Sequence, residues 1–374
     1  MPSQRNPFRP SFGTTPPVLA GRDMTTLLFG DALDAGPGAA GRATLYTGAR
    51  GVGKTVMLNE AESLAKERGW VVISETANQG LIQRLLTDQL PAVGALLGLV
   101  DNDSHITGVT LPMGMGGITR TVGKHSKPTS IRQWLNLITD YLDNNGTGLL
   151  LTLDEVHAGE RNELREIGTL IQHAFREERQ LAFAAAGLPR AVDDLLSDEV
   201  LTFLRRAERF HLGPVDMPDA REALYRPIVA AGRNIEESAV DLAALASGGY
   251  PFLIQLIGFQ LWNVTDAETF STSDVTTAII AARSRLGSLV YDAAMRDLSQ
   301  MDRAFLFAMT ADNGAPSAMS QIAQRLTKSP SYVSQYRIRL LGSDLIKEAG
   351  YGYVEFAMPY LLEYLQETAA KWLV

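Results

Sequence analysis

Residues 43–58 read "ATLYTGARGVGKTVML", and the reading of this stretch decides the fold. A short apolar run from Ala43 to Tyr46 leads into a glycine loop, and a helical pattern follows from about Thr55 to Arg68. The loop, Gly48-Ala49-Arg50-Gly51-Val52-Gly53-Lys54-Thr55, matches GxxxxGK[ST] without gaps. Glycines let the backbone wrap closely, so that successive N–H groups point at phosphate oxygens. Lys54 is then placed to neutralise the β- and γ-phosphates of ATP, and the Thr55 hydroxyl to ligate Mg²⁺. A chance glycine loop would need neither the strand before it nor the helix after it.

The other half of such a site needs carboxylates at the end of a neighbouring buried strand. "LLLTLDEVH", residues 149–157, supplies them. Asp154 is positioned to hold the magnesium through its water shell, and Glu155 to polarise an attacking water. The plainer alternative is that both acids cap the helix that follows. Hydrolysis also calls for positive charge on the γ-phosphate. Arg205, Arg206 and Arg209 in "LRRAERFHL" are candidates, with Arg206 and Arg209 the better placed to reach a neighbouring subunit's nucleotide in a homo-oligomer. Otherwise the three form a solvated basic face.

Outward from the loop, apolar runs alternate with helical patterns as far as residue 215. The runs are "GWVVISETA", "LLLTLDEVH", "LAFAAAG" and "RFHLGPV"; the helical patterns cover 80–100, 130–143 and 160–178. Buried strands separated by helices imply a parallel α/β sheet. Before it come a proline-rich arm and a helix over 22–35 with Asp23 as N-cap. Two β-prone runs around "MGMGG" suggest a hairpin inserted near 104–124. From 216 to about 288 the strand signal stops and four helices are expected.

Residues 300–360 read as helix-turn-helix plus wing. The third helix, "SPSYVSQYRIRLLGSDLI", has Ser329 or Ser331 as cap and Val333, Ile338 and Leu341 facing inward; "KEAGYGYVEFAMP" forms the wing and ends the chain's regular structure. Between 321 and 343 the ionisable residues are Arg325, Lys328, Arg337 and Arg339, with no acid and with Tyr332, Gln335 and Tyr336 interleaved. Lys328, Tyr332, Gln335, Tyr336, Arg337 and Arg339 are therefore the candidate contacts to duplex DNA, although winged helices also bind proteins.

Composition narrows the classes. The 374 residues are 45% apolar and 20% charged with net charge −8, ordinary for a globular chain and unlike one that coats nucleic acid with its whole surface. There is no cysteine, so disulfides and thiolate metal sites are excluded; the five histidines show no HExxH spacing. No membrane-length apolar run or secretory signal is read, and a cytoplasmic location is expected.

With both motifs and the C-terminal module in view, the layout resembles an AAA+ ATPase of the origin-recognition and cell-division-cycle initiator group, and the related STAND-type ATPases. The resemblance implies an α/β P-loop NTPase fold: a parallel sheet, a helical lid and a C-terminal winged helix. It implies an arm over 1–21, a P-loop ATPase domain over 22–215, a lid over 216–288 and a winged-helix domain over 289–374. "FGTTPPVLAGRD" is similar to the segment that packs near adenine in that group, which assigns Pro17, Val18, Leu19 and Arg22 to a base pocket. Gly249-Tyr250-Pro251 resembles the GxP element of STAND switches, whose proline lies against the nucleotide; an ordinary helix start would also explain Pro251.

Two departures bear on turnover. The fourth strand ends in Gly187, Leu188 and Pro189 where that group has a polar sensor, and "GGYPFLIQLIGFQLWN" carries no sensor arginine. Three readings follow: a slow ATPase switch acting on DNA, a STAND-type signalling or defence NTPase whose winged helix contacts protein, and a helper ATPase for transposition or another DNA transaction.

Overall fold

The computed structural model describes residues 5–11, 13–100, 128–199 and 201–372. The hairpin expected near 104–124 lies outside the described residues, as does the start of the arm. The chain forms two compact units, one comprising 22–48 and 54–212, the other 1–21, 49–53 and 213–374.

The first unit is built on five parallel strands, β1 (Ala43–Gly48), β2 (Val71–Thr76), β3 (Leu149–Asp154), β4 (Leu181–Gly187) and β5 (Glu208–Leu212), in the order β2-β3-β4-β1-β5. The central strands are apolar throughout because helices cover both faces; every residue of β4 is buried. β5 is an edge strand whose residues alternate in exposure, and Arg209 is on its open side. Register sets Thr47 of β1 opposite Gly187 of β4 and Thr76 of β2 opposite Asp154 of β3. The functional ends of β1 and β3 thus share the carboxyl edge of the sheet, where open α/β sheets bind ligands.

The helices of this unit are α1 (Asp23–Asp34), α2 (Lys54–Glu67), α3 (Leu81–Arg84), α4 (Leu90–Leu96), α5 (Ile131–Asn144), α6 (Arg161–Arg176) and α7 (Pro189–Leu196). α5 presents Trp134, Ile138 and Leu142 at helical spacing, and they join Leu149, Leu151 and Leu181 in the core. Asp23 is not the N-cap expected of it: Arg22 holds that position and Asp23 is the first helical residue, where its charge suits the helix dipole. α7 was not legible because "PRAVDDLL" is short; Pro189 starts it.

The second unit contains the four expected helices, α8 (Met217–Ala230), α9 (Glu237–Ser247), α10 (Pro251–Val264) and α11 (Thr272–Leu286). The strand signal does not vanish here as expected: β6 (Asn234–Ile235) and β7 (Thr269–Phe270) pair in parallel, each too short to show periodicity. The arm is seated on α10. Phe8 is 2% exposed and lies over Gly258, where a Cβ would collide with its ring.

After α12 (Asp292–Asp297), the C-terminal region has α13 (Gln300–Thr310), α14 (Met319–Arg325), α15 (Pro330–Gly342) and α16 (Leu361–Trp372). A three-stranded antiparallel sheet, β8 (Ser317–Ala318), β9 (Ile346–Glu348) and β10 (Tyr353–Phe356), runs in the order β8-β10-β9, as in a winged helix. Ser329 caps α15 by accepting from the Tyr332 N–H. Two expectations fail. Ile338 is 43% exposed, and Leu340 takes its place inside because it lies seven residues, two turns, beyond the buried Val333. The chain also continues past the wing into α16, whose Leu361 and Leu365 are fully buried. Among the described residues no helix is long and apolar enough to cross a membrane.

Candidate functional site

The glycine loop owes its shape to backbone that only glycine adopts cheaply: Gly48, Gly51 and Gly53 have φ of 150°, 79° and 97°. In the sheet unit, the loop turns directly into α2, so that Lys54 and Thr55 are its first two residues. Lys54 is 9% exposed and its Nζ donates to the Gly48 carbonyl at 2.9 Å. Thr55 Oγ1 donates to Asp154 Oδ2 at 2.7 Å, although 99 residues separate them. The second carboxylate oxygen of Asp154 accepts from the Glu155 N–H at 2.8 Å. A hydroxyl and a carboxylate converge here, and hard oxygen donors of this kind match the coordination preference of magnesium.

Glu155 departs from ordinary backbone. Its φ is 55°, in the left-handed region that costs a non-glycine residue about 1 kcal/mol or more. Its carboxylate is 47% exposed, and Oε2 lies 3.1 Å from Nδ1 of His157. His157 was missed by sequence reasoning; an i+2 spacing is significant only after a left-handed turn has folded it back.

At the end of β4 no polar side chain is found. A Cβ on Gly187 would collide with Val156, so the backbone is simply packed there. Arg205 Nε donates to the Leu196 carbonyl at 2.8 Å, whereas Arg206 and Arg209 are exposed and make no ion pair with a described residue.

In the other unit, loop residues 49–53 meet the start of α10. The Tyr250 hydroxyl donates to the Arg50 carbonyl, and the Phe252 N–H to the Gly51 carbonyl at 3.2 Å. Tyr250 is 3% exposed, and burial pushes its hydroxyl pKa well above the usual tyrosine value, with the Asp344 carboxylate adding to the shift. It is therefore a neutral donor at any working pH. Gly249 has φ of 70° and a backbone so close to Val215 that a Cβ would strike its carbonyl; Pro251 is at the first turn of α10. Pro17 is exposed, and Val18 and Leu19 are half-buried.

The C-terminal face differs most from its reading in the sequence. The stretch 321–343 has no acid, yet the fold brings one to three of its four cations. Arg325 pairs with Asp312 at 2.5 Å, Arg337 with Glu348 at 2.6 Å and Arg339 with Asp302 at 2.7 Å. Lys328 stands over the Tyr332 ring at 5.5 Å, and the Tyr332 and Tyr336 rings are 5.3 Å apart. Gln335 is exposed.

Asp302 is wholly buried, and its Oδ2 also accepts from the backbone N–H and hydroxyl of Ser299, closing a capping box on α13. Arg339→Ala would leave that carboxylate short of its positive partner. Breaking a buried pair costs about 3–5 kcal/mol, and because Arg339 is 55% exposed about 2 kcal/mol is expected. Urea denaturation measures this; an unchanged midpoint would show that the pair with Asp302 adds nothing to stability.

Comparison with known proteins agrees with this architecture. Residues 288–365 match a family model described as a domain of unknown function, DUF8462. Among curated proteins none matches in sequence. Solved structures are similar over almost the whole chain. A Walker-type ATPase of Pyrococcus abyssi superposes with a TM-score of 0.67 at 17% identity, covering 93% of this chain and 96% of that one. The ORC2 protein of Aeropyrum pernix, solved in ADPNP and ADP complexes, gives 0.63 at 16% identity over 97% and 96%. Cdc6p from Pyrobaculum aerophilum gives 0.50 at 15% over 97% of each chain. The chain therefore has the AAA+ ATPase fold that these structures share, with a winged-helix-like region at its C-terminal end.

Proposed function

We propose that the protein binds ATP with Mg²⁺ at Gly48–Thr55, hydrolyses it slowly, and uses the bound state as a switch in a DNA transaction. The observation that carries this is the 2.7 Å bond between Thr55 and Asp154, which joins the two sequence motifs into one oxygen-donor set. Lys54 and the loop N–H groups hold the phosphates, Thr55 and Asp154 serve the metal, and Glu155 orients the attacking water. The metal would supply charge neutralisation on the phosphates. Binding of ADPNP and ADP by the similar ORC2 protein supports nucleotide as the ligand class.

Slow turnover follows from an apolar β4 end and an α10 without arginine. Arg206 and Arg209, exposed on and beside the edge strand, are the residues we assign to a neighbour's γ-phosphate in a homo-oligomer. Pro17, Val18, Leu19 and Pro251 are the proposed base-side contacts. The proposed domain limits stay at 21/22, 215/216 and 288/289.

A second reading is favoured by the internal pairing of Arg325, Arg337 and Arg339: the winged helix then meets protein, as in a STAND-type switch. On the DNA reading, Lys328, Tyr332, Gln335 and Tyr336 remain its available contacts.

The two separate when ATPase rate and oligomer size are measured together, with and without duplex DNA. The first reading expects a low basal rate that DNA changes severalfold, with a shift in mass on adding ATP. A rate and mass indifferent to DNA would select the second, and absence of ATP binding would end both.

A further inference from the structure

Three arginines outside the nucleotide motifs converge on one groove. The arm is fixed along α10 by Phe8, by Asn6 Nδ2 donating to the Phe259 carbonyl at 3.0 Å, and by the Arg9 N–H donating to Gln255 Oε1 at 3.1 Å. It thereby encloses, with α10 and the end of α11, an open groove of about 520 Å³. Arg5 and Arg9 line it from the arm and Arg285 from α11, above a floor that includes Phe259 and Leu289. The hydroxyls of Ser11 and Thr14, 2.7 Å apart, add short polar groups.

The electrostatics are unusual for this molecule. Among the described residues no carboxylate lines the groove, and none of the three guanidiniums makes an ion pair with one of them. The chain as a whole carries a net charge of −8, and on α14 and α15 three of four cations are neutralised by acids of their own module. Unpaired guanidiniums flanked by hydroxyls over a partly apolar floor suit phosphate esters, since guanidinium donates in a fork that phosphate oxygens match.

We infer that this groove binds the phosphodiester backbone of nucleic acid, with Arg5, Arg9 and Arg285 each contacting a phosphate. The inference rests on the DNA reading above and moves its electrostatic anchor from the paired arginines of α15 to the arm. A groove that reads only backbone fixes the position of a duplex without reading its sequence.

The test is binding of a fluorescein-labelled duplex, followed by anisotropy as salt is raised, in the full chain with ATP and Mg²⁺. Each phosphate contact contributes about 0.9 to the slope of log K against log salt, so Arg5→Ala/Arg9→Ala/Arg285→Ala should lower the slope by about 3. ATP binding should be unchanged in this variant, and Arg5→Lys/Arg9→Lys/Arg285→Lys should restore most of the slope, which excludes detachment of the arm as the cause.

Full slope in the alanine variant, with binding lost instead in Lys328→Ala/Tyr332→Ala, overturns the groove and leaves the winged helix as the DNA contact. A wild-type chain that binds ATP but no duplex overturns both. If the three arginines take up inorganic pyrophosphate but not duplex, the groove is a small-molecule phosphate site and the inference fails.

Discussion

Lys54→Ala is expected to lose ATP. The Lys54 ammonium is nearly buried and at present donates to the Gly48 carbonyl, which keeps it inside the loop that would wrap the phosphates. Truncating one partner of a buried charge pair costs about 2–5 kcal/mol, equivalent to about 30-fold to about 4,000-fold in affinity. Two readouts distinguish lost binding from lost fold. Titration with a fluorescent ATP analogue should show the weakened affinity. Thermal unfolding should show that the variant melts close to the wild type without nucleotide, but gains from the same ATP concentration at most about 1 kcal/mol. The wild type at a hundredfold excess over Kd gains about 2.7 kcal/mol from linkage. Retained tight binding in the variant would remove the loop from the phosphates and with it the proposed site.

The sheet was legible in the sequence because burial on both faces writes a strand as an uninterrupted apolar run. β3 and β4 are such runs; the strand order, in which β4 separates β3 from β1, was not read from the sequence. Short elements were not legible: β6 and β7 have two residues each, and α7 has eight. Within α15, Ile338 and Leu340 were exchanged because a window rich in arginine and tyrosine gives the 3.6-residue period little contrast.

Of the candidate site, Thr55 and Asp154 could be paired in advance since each motif specifies its own end of a strand. The local charge of α14 and α15 could not. Asp312, Glu348 and Asp302 lie 13, 11 and 37 residues from their partners and sit on other elements, so a count within 321–343 could not include them. Charge read along a chain measures composition, whereas ion pairing depends on which elements the fold packs together. The same limit hid the contact of Tyr250 with Arg50, 200 residues apart.

Glu155→Gln is expected to bind ATP within about threefold of the wild type while hydrolysing it about 10²-fold to 10⁴-fold more slowly, the range a positioned general base contributes. On the proposed mechanism the two acids divide the work. Both oxygens of Asp154 are engaged, one by Thr55 and one by the Glu155 N–H, which suits a fixed metal partner and not a group that must take up a proton. Glu155 is held by its backbone turn with the carboxylate half exposed and His157 beside it. An amide of the same length keeps the shape and the backbone, but it cannot take a proton from water. Single-turnover hydrolysis with saturating ATP isolates this step from binding and product release. Turnover equal to the wild type would exclude Glu155 as the base, and a parallel loss of ATP affinity would assign it to holding the metal alongside Asp154.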